Sequence, residues 1–261
     1  MTAVFITDWS DFEQVFPLAL EYQVGIEILE FVDPDTIENG QELADRMRNQ
    51  TGKLKAISFH GPYSDLVPAS RDPLIRQATL NRFQAAGRLA DMVGSQHLVL
   101  HSGFIPKTYP KDQWIQNAST FWINYLKAKP FSGKVHVENV YEDDYTTLKE
   151  LVDTVNEAFS AELLTICLDI GHVNANSSRS IDEWISELGK RIGHVHLQNN
   201  SGLADDHSRL DKGTLDVAHV LNLLSTCCPA SSWTIETTTE DIEPSLIWMG
   251  DQGYPLSSSI R

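Results

Sequence analysis

Eight short apolar, β-branched runs alternate with longer amphipathic stretches along this chain, and that alternation restricts its fold more than any other feature. The runs are AVFIT (3–7), GIEIL (25–29), LKAISF (54–59), HLVL (97–100), KVHVE (134–138), LTICLD (164–169), GHVHL (193–197) and WTIE (233–236). Between them lie segments such as 71–93, RDPLIRQATLNRFQAAGRLADMV, whose apolar residues recur near the helical period. Regular strand–helix alternation requires parallel strands joined by right-handed crossovers. Eight such units in 261 residues predict an α/β fold, a closed (β/α)8 TIM barrel forming a single domain over 1–261 with little room for insertions. The rival is an open doubly wound sheet. No glycine-rich phosphate loop follows the first run, which removes that rival's usual nucleotide-binding form.

A barrel of this kind carries its chemistry on the loops after the strands. The third run is followed by His60 in SFHGPY, the fourth by His101 in LVLHSG, and the fifth ends in Glu138. The sixth ends in Asp169, with His172 three residues later. The seventh carries His196, and its loop holds Asp205 and His207; the eighth ends in Glu236. Each is alone an ordinary loop residue, but nine imidazole and carboxylate groups at six consecutive strand ends are hard to explain as unrelated. Barrel closure would aim them at one centre, and mixed nitrogen and carboxylate donors suit Zn, Mn or Fe better than Ca or Mg. The other histidines, His97, His136, His194 and His219, read as packing or supporting residues; His194 shares the face of His196 but lies deeper. Glu27, charged within a strand, either orients a ligand or pairs inside the barrel, or else lies on the outer surface. Asp143 and Asp144 read as caps of the helix that follows them, and Trp9 as a wall of the pocket.

Other chemistries lack their residues. There is no GxSxG nucleophile elbow and no pair of CxxC motifs. The six tryptophans are scattered and read as core or rim. A formal charge of −16 weighs against nucleic acid and anionic membranes, although bound metals and one basic face would reverse it locally. Cys167, Cys227 and Cys228 form no even disulfide framework, which points to a reducing compartment. No leader segment and no membrane span is expected, so the cytoplasm is the expected location.

The pieces HGPY (60–63), HSG (101–103), VEN (137–139), LDIGH (168–172), HVHL (194–197), DDH followed by KG (205–213) and IET (235–237) resemble, in this order, the xylose isomerase-like barrel superfamily. That superfamily includes sugar and sugar-phosphate isomerases or epimerases and the endonuclease IV type of apurinic-site nuclease. In the epimerase branch the resemblance implies one divalent metal on Glu138, Asp169, His196 and Glu236. Glu138 and Glu236 would be the catalytic pair, with His60, His101 and His172 toward a small carbohydrate substrate. In the nuclease branch it implies three metals, held by those residues together with His60, His101, His172, Asp205 and His207. The sequence departs from the pattern at Asp211-Lys212-Gly213, where GxG is common. It departs again at Asp144 and Gly202, where ketohexose epimerases of this type carry glutamate and arginine. The expected function is therefore that of a divalent-metal-dependent isomerase or epimerase acting on a sugar or sugar-phosphate-like small molecule by proton transfer next to a carbonyl, with endonuclease IV-like multinuclear phosphodiester hydrolysis as the alternative. Substrate identity and oligomeric state are left open.

Overall fold

In a computed structural model, which describes residues 2–9 and 11–254 of the chain, the strands close into a ring in sequence order. They are β1 (Val4–Thr7), β2 (Gly25–Ile28), β3 (Ile57–His60), β4 (His97–His101), β5 (Lys134–Glu138), β6 (Leu164–Asp169), β7 (Ile192–Leu197) and β8 (Ser232–Ile235). Every pairing is parallel, and β8 returns to β1 through Thr234 opposite Phe5. The helices are α1 (Phe12–Tyr22), α2 (Pro34–Asn39), α3 (Gln41–Thr51), α4 (Pro73–Val93), α5 (Lys111–Lys127), α6 (Thr146–Phe159), α7 (Ile170–Asn176), α8 (Ile181–Leu188), α9 (Val217–Cys227) and α10 (Thr239–Asp251). The expected eight-stranded barrel is the fold observed.

Local signals explain the boundaries. The α4 helix starts where Asp72 accepts the Leu74 amide and Pro73 pre-sets the first turn, and it stops at Gly94 in a left-handed conformation, φ 80°. Ser180 and Glu183 form a reciprocal capping box at the start of α8. Two expectations need correction. The third strand begins at Ile57, not Leu54, because the chain is still leaving α3 there: Leu54 donates its amide to Thr51. The connections after β2 and β6 each hold two helices, so the loops have more room than strict alternation implies.

Trp114, Trp122, Trp184 and Trp233 are fully buried and fill the seams around the barrel. The barrel interior is less usual. Where branched aliphatic side chains commonly fill such a core, a buried polar layer contains Glu27, Ser58, His136, His194 and Thr234. His97, His136 and His194 cluster with ring centroids 5.2–5.5 Å apart, His97 and His136 stacked and His194 tilted to both, and Phe5 stands edge-on to His97 and His194. No helix among the described residues is long and apolar enough to cross a membrane.

Candidate functional site

Closure brings the strand ends to one point. His60, His101, Glu138 and Asp169 are the last residues of β3, β4, β5 and β6; His196 is next to last in β7, and Glu236 directly follows β8. Asp169 also caps α7, accepting the amide of His172, so one carboxylate sets where the next imidazole stands.

One donor atom each from Glu138, Asp169, His196 and Glu236 lies within 4.8 Å of the others, and all four residues are buried. His196 Nδ1 is 2.9 Å from Glu236 Oε2, 3.4 Å from Glu138 Oε1 and 3.9 Å from Asp169 Oδ2. Yet His196 Nδ1, Glu236 Oε2 and Asp169 Oδ2 make no hydrogen bond within the protein. Buried polar atoms are nearly always partnered. Lone pairs that converge without bonding one another fit a bound cation, and the donor set suits a borderline divalent ion.

The electrostatics agree with that reading. Burial opposes ionisation of Glu138, but His101, His196 and His172 outweigh it and hold the carboxyl well below its usual range. Glu236 behaves likewise: His196 and His207 overcome burial and keep it ionised. Asp169 differs. Burial, reinforced by Glu236 and Glu138, pushes it up to about 7 despite His172. Crowded carboxylates of this kind are what a divalent ion relieves.

The remaining sequence-predicted residues surround this group. His60 Nε2 and His101 Nε2 lie 3.2 and 3.3 Å from Glu138 Oε2. Asp205 Oδ2 sits between His172 Nε2 and His207 Nε2, 3.1 Å from each. Both imidazoles oppose the burial of Asp205 and drive its pKa far down, while His207, despite burial, rises to about 9 beside Asp205. The loop holding them is pinned by Asn199, whose side-chain amide donates to Leu210 and Leu215. A Cβ at Gly213 would sit 2.1 Å from the Asn199 side-chain oxygen, so the retained glycine of Asp211-Lys212-Gly213 is needed for that close approach, whereas Asp211 pairs outward with Arg209.

Behind the group lies a layer that sequence reasoning left open or missed. Glu27 is fully buried, with Oε1 2.8 Å from His196 Nε2 and Oε2 3.0 Å from His194 Nε2. Ser58 and Thr234 donate hydroxyls to Oε2 at 2.6 and 2.9 Å. Burial would raise its pKa; His196 and His194 bring it well below normal. The surface alternative for Glu27 is thus corrected. Asn139 was missed: its side chain donates to the Asp169 carbonyl at 3.0 Å and accepts the Asp169 amide at 2.9 Å, locking the ends of β5 and β6 together. Only its place in VEN, one residue past a candidate ligand, could have signalled it. Asp144 accepts the Thr146 amide at the start of α6, whereas Asp143 instead braces Ser177 and Ser178 before α8. His219 is neither core nor site; it pairs with Asp182 on the surface, 3.0 Å away.

Above the donors opens a cavity of about 700 Å³, lined by residues that include Trp9, Tyr63, His60, His101, Glu138, His172, Asp205, His207 and Glu236. Trp9 walls it as the sequence suggested, donating its indole N–H to the Thr237 carbonyl and standing edge-on to His207.

Fold and site together define an α/β barrel with a buried group of imidazole and carboxylate donors at its strand ends. A family model described as xylose isomerase-like TIM barrel matches residues 18–248, and the chain belongs to that family. Two uncharacterized proteins of Methanocaldococcus jannaschii are similar in sequence. One is 29% identical over 210 residues, covering 78% of this chain and 69% of the relative. The other is 26% identical over 165 residues, covering 61% and 62%. Among solved structures, a Thermus thermophilus protein soaked with ZnCl2 is 24% identical with a TM-score of 0.74, covering 99% of this chain and 98% of that one. A D-tagatose 3-epimerase-like protein is 22% identical with a TM-score of 0.73, covering 97% of each chain. The IOLI protein with a bound zinc atom is 14% identical with a TM-score of 0.76, covering 98% of each. At these identities the likeness is one of fold.

Proposed function

We propose that this barrel is a divalent-metal-dependent isomerase or epimerase that moves a proton at a carbon next to the carbonyl of a small carbohydrate-like substrate. One observation carries the reading: four buried donors converge at the floor of a cavity of ligand size, and three of them, His196, Asp169 and Glu236, each bring an unbonded donor atom to the group. Glu138, Asp169, His196 and Glu236 would hold one ion, Zn or Mn. Such an ion, when bound, polarises the substrate's carbonyl and adjoining hydroxyl. Glu138, on β5, and Glu236, after β8, approach the cavity from separated strands. One takes the proton from the substrate carbon and the other returns it, to the opposite face in an epimerase or the neighbouring carbon in an isomerase. His60, His101 and His172 line the same cavity and orient substrate oxygens. The free cysteines, Cys167, Cys227 and Cys228, fit a reducing compartment such as the cytoplasm. The test is deuterium exchange from solvent into a panel of sugars by the Mn- or Zn-loaded protein. Exchange into one sugar supports the reading, and no exchange with any sugar refutes it.

One arrangement favours a second reading. Asp205 between His172 and His207 supplies further donors beside the first four, as multinuclear phosphodiester hydrolysis at an abasic site would need. These three satisfy one another by hydrogen bonds, whereas the unbonded lone pairs belong to the four-donor group. That difference favours one ion. Metal analysis separates the readings, near one ion per chain or near three, and cleavage of an abasic-site duplex above a His172→Ala control supports the second.

A further inference from the structure

The floor of the cavity is polar, and its mouth is not. Leu203, Tyr141, Ile105 and Tyr63 have 91%, 54%, 44% and 39% of their surfaces exposed, and all four line this cavity from separate loops. Leu66 and Phe104 continue the apolar lining between them. Soluble chains rarely gather large exposed apolar side chains at one opening without a ligand to cover them. Tyr63 is held in place: its ring stacks on His101 with centroids 4.7 Å apart and planes 18° from parallel, joining the apolar mouth to the polar floor.

The acidic side chains of the lining meet imidazoles only, and those are already engaged: His60 and His101 with Glu138, His172 and His207 with Asp205. Asp65, Glu138, Asp205 and Glu236 face the cavity, and among the described residues lining it there is neither lysine nor arginine. On the adjoining loops Arg209 is tied to Asp211 and Arg179 to Asp144 and Glu183, and neither Lys107 nor Lys212 is among the residues that line the cavity. Phosphate sites recruit arginine, lysine or a helix N-terminus. The helix that begins beneath this cavity, α7, already has its first turn capped by the Asp169 carboxylate.

We infer that the substrate carries no phosphate or carboxylate, and that it bears an aliphatic or aromatic group which seats against the apolar mouth while its hydroxyl and carbonyl oxygens face the donors below. This rests on the single-ion isomerase reading and narrows it, removing sugar phosphates from the expected substrates.

The test uses the full chain saturated with Mn²⁺ and a panel of pentoses, hexoses and cyclitols, each as the parent polyol, its phosphate ester and its phenyl ether. Affinity is measured by calorimetric titration. In at least one series the phenyl ether should bind about tenfold or more tighter than the parent, corresponding to roughly 60 Å² of apolar surface removed from water, with no heat from the phosphate. Leu203→Ser and Ile105→Ser, exposed and outside the proton-transfer machinery, should each reduce that ratio while leaving the parent's affinity and the metal content unchanged. A phosphate ester that binds more tightly than its parent overturns the inference, as does a phenyl group that gains nothing in every series. Preference for the phenyl ether without any solvent exchange would remove the isomerase reading and leave the ligand class standing. Exchange into a phosphorylated sugar would do the reverse.

Discussion

Replacing Glu27 with glutamine tests how the candidate site is aligned. The carboxylate accepts two hydroxyls and faces two imidazoles, all buried. A histidine that gives one nitrogen to a metal is oriented, and its tautomer fixed, by an acceptor at the other. A carboxylate 2.8 Å from Nε2 of His196 favours the tautomer with the proton on Nε2, which leaves Nδ1 to face Glu138, Asp169 and Glu236. Glutamine keeps the shape of the side chain. Its carbonyl oxygen can still accept from Ser58 and Thr234, which turns the NH2 toward His196 Nε2 and makes that nitrogen the acceptor. The proton then moves to Nδ1, where it blocks ligation. Loss of such a partner typically weakens metal binding by about 10- to 100-fold, or roughly 1.4–2.8 kcal/mol. Stability should fall less, by about 1–2 kcal/mol, since the hydroxyl bonds survive and one charged contact is lost. Chelator competition with Mn or Zn reads the affinity, urea denaturation the stability, and nitrogen chemical shifts of His196 the tautomer. Wild-type affinity with the His196 tautomer unchanged would refute the reasoning. Glu27→Ala is not a substitute, because it orphans every one of these donors at once and endangers the fold.

Three further outcomes follow from the same geometry. Glu236→Gln should lower metal content and reduce any solvent exchange by about 10²- to 10⁴-fold; metal analysis and turnover both unchanged would remove Glu236 from the site. Burial, with help from His194 and Lys134, holds His97 down to about 3, and burial with His194 and His97 holds His136 well below its usual value; both titrate near 6.5 when unfolded, so below that pH the unfolded chain binds protons that the folded chain refuses. Stability should therefore be full above about pH 6.5 and fall toward pH 3, by up to about 1.4 kcal/mol per unit for each histidine, and His97→Gln should make the decline in urea midpoint shallower. Gly171→Ala should destabilise by about 1–3 kcal/mol despite the better helix propensity of alanine, because the new Cβ would sit 2.2 Å from the Gln198 amide carbon; an unchanged thermal midpoint would show that Gln198 yields freely.

The strand-end residues were legible because each interrupts an apolar run with a donor group, and parallel closure puts every such interruption on one face. His60 and Glu138 belong to strands two apart, yet they meet at 3.2 Å. Glu27 was not decidable by the same means. All four residues of GIEI are buried, and in a parallel strand covered on both faces alternation no longer separates inside from outside. Its charge was the signal, since an unpaired buried carboxylate is costly, but apart from Ser58 on the adjacent β3 its partners lie on β7 and β8 and become neighbours only when the ring closes. Short helices failed for a different reason: α2 and α7 have six and seven residues, too few for a period to show. The cluster of His97, His136 and His194 was legible only as support, because its strands β4 and β7 are not adjacent.

The departures from the ketohexose epimerase pattern and the apolar mouth have a common logic. Ketohexose epimerases of this type carry glutamate and arginine, both long and charged, at positions 144 and 202. In this chain Asp144 turns outward to Arg179 and Thr146, and Gly202 offers no side chain and instead accommodates the loop at a left-handed φ of 76°. Neither lines the cavity, while Leu203, directly after Gly202, does, as does Tyr141 three residues before Asp144. The donor floor and the mouth are thus set by different structural constraints: the floor by strand ends that the barrel fixes, the mouth by loops that it leaves free. A chain can keep the first and exchange the second, so likeness of fold does not by itself carry the substrate.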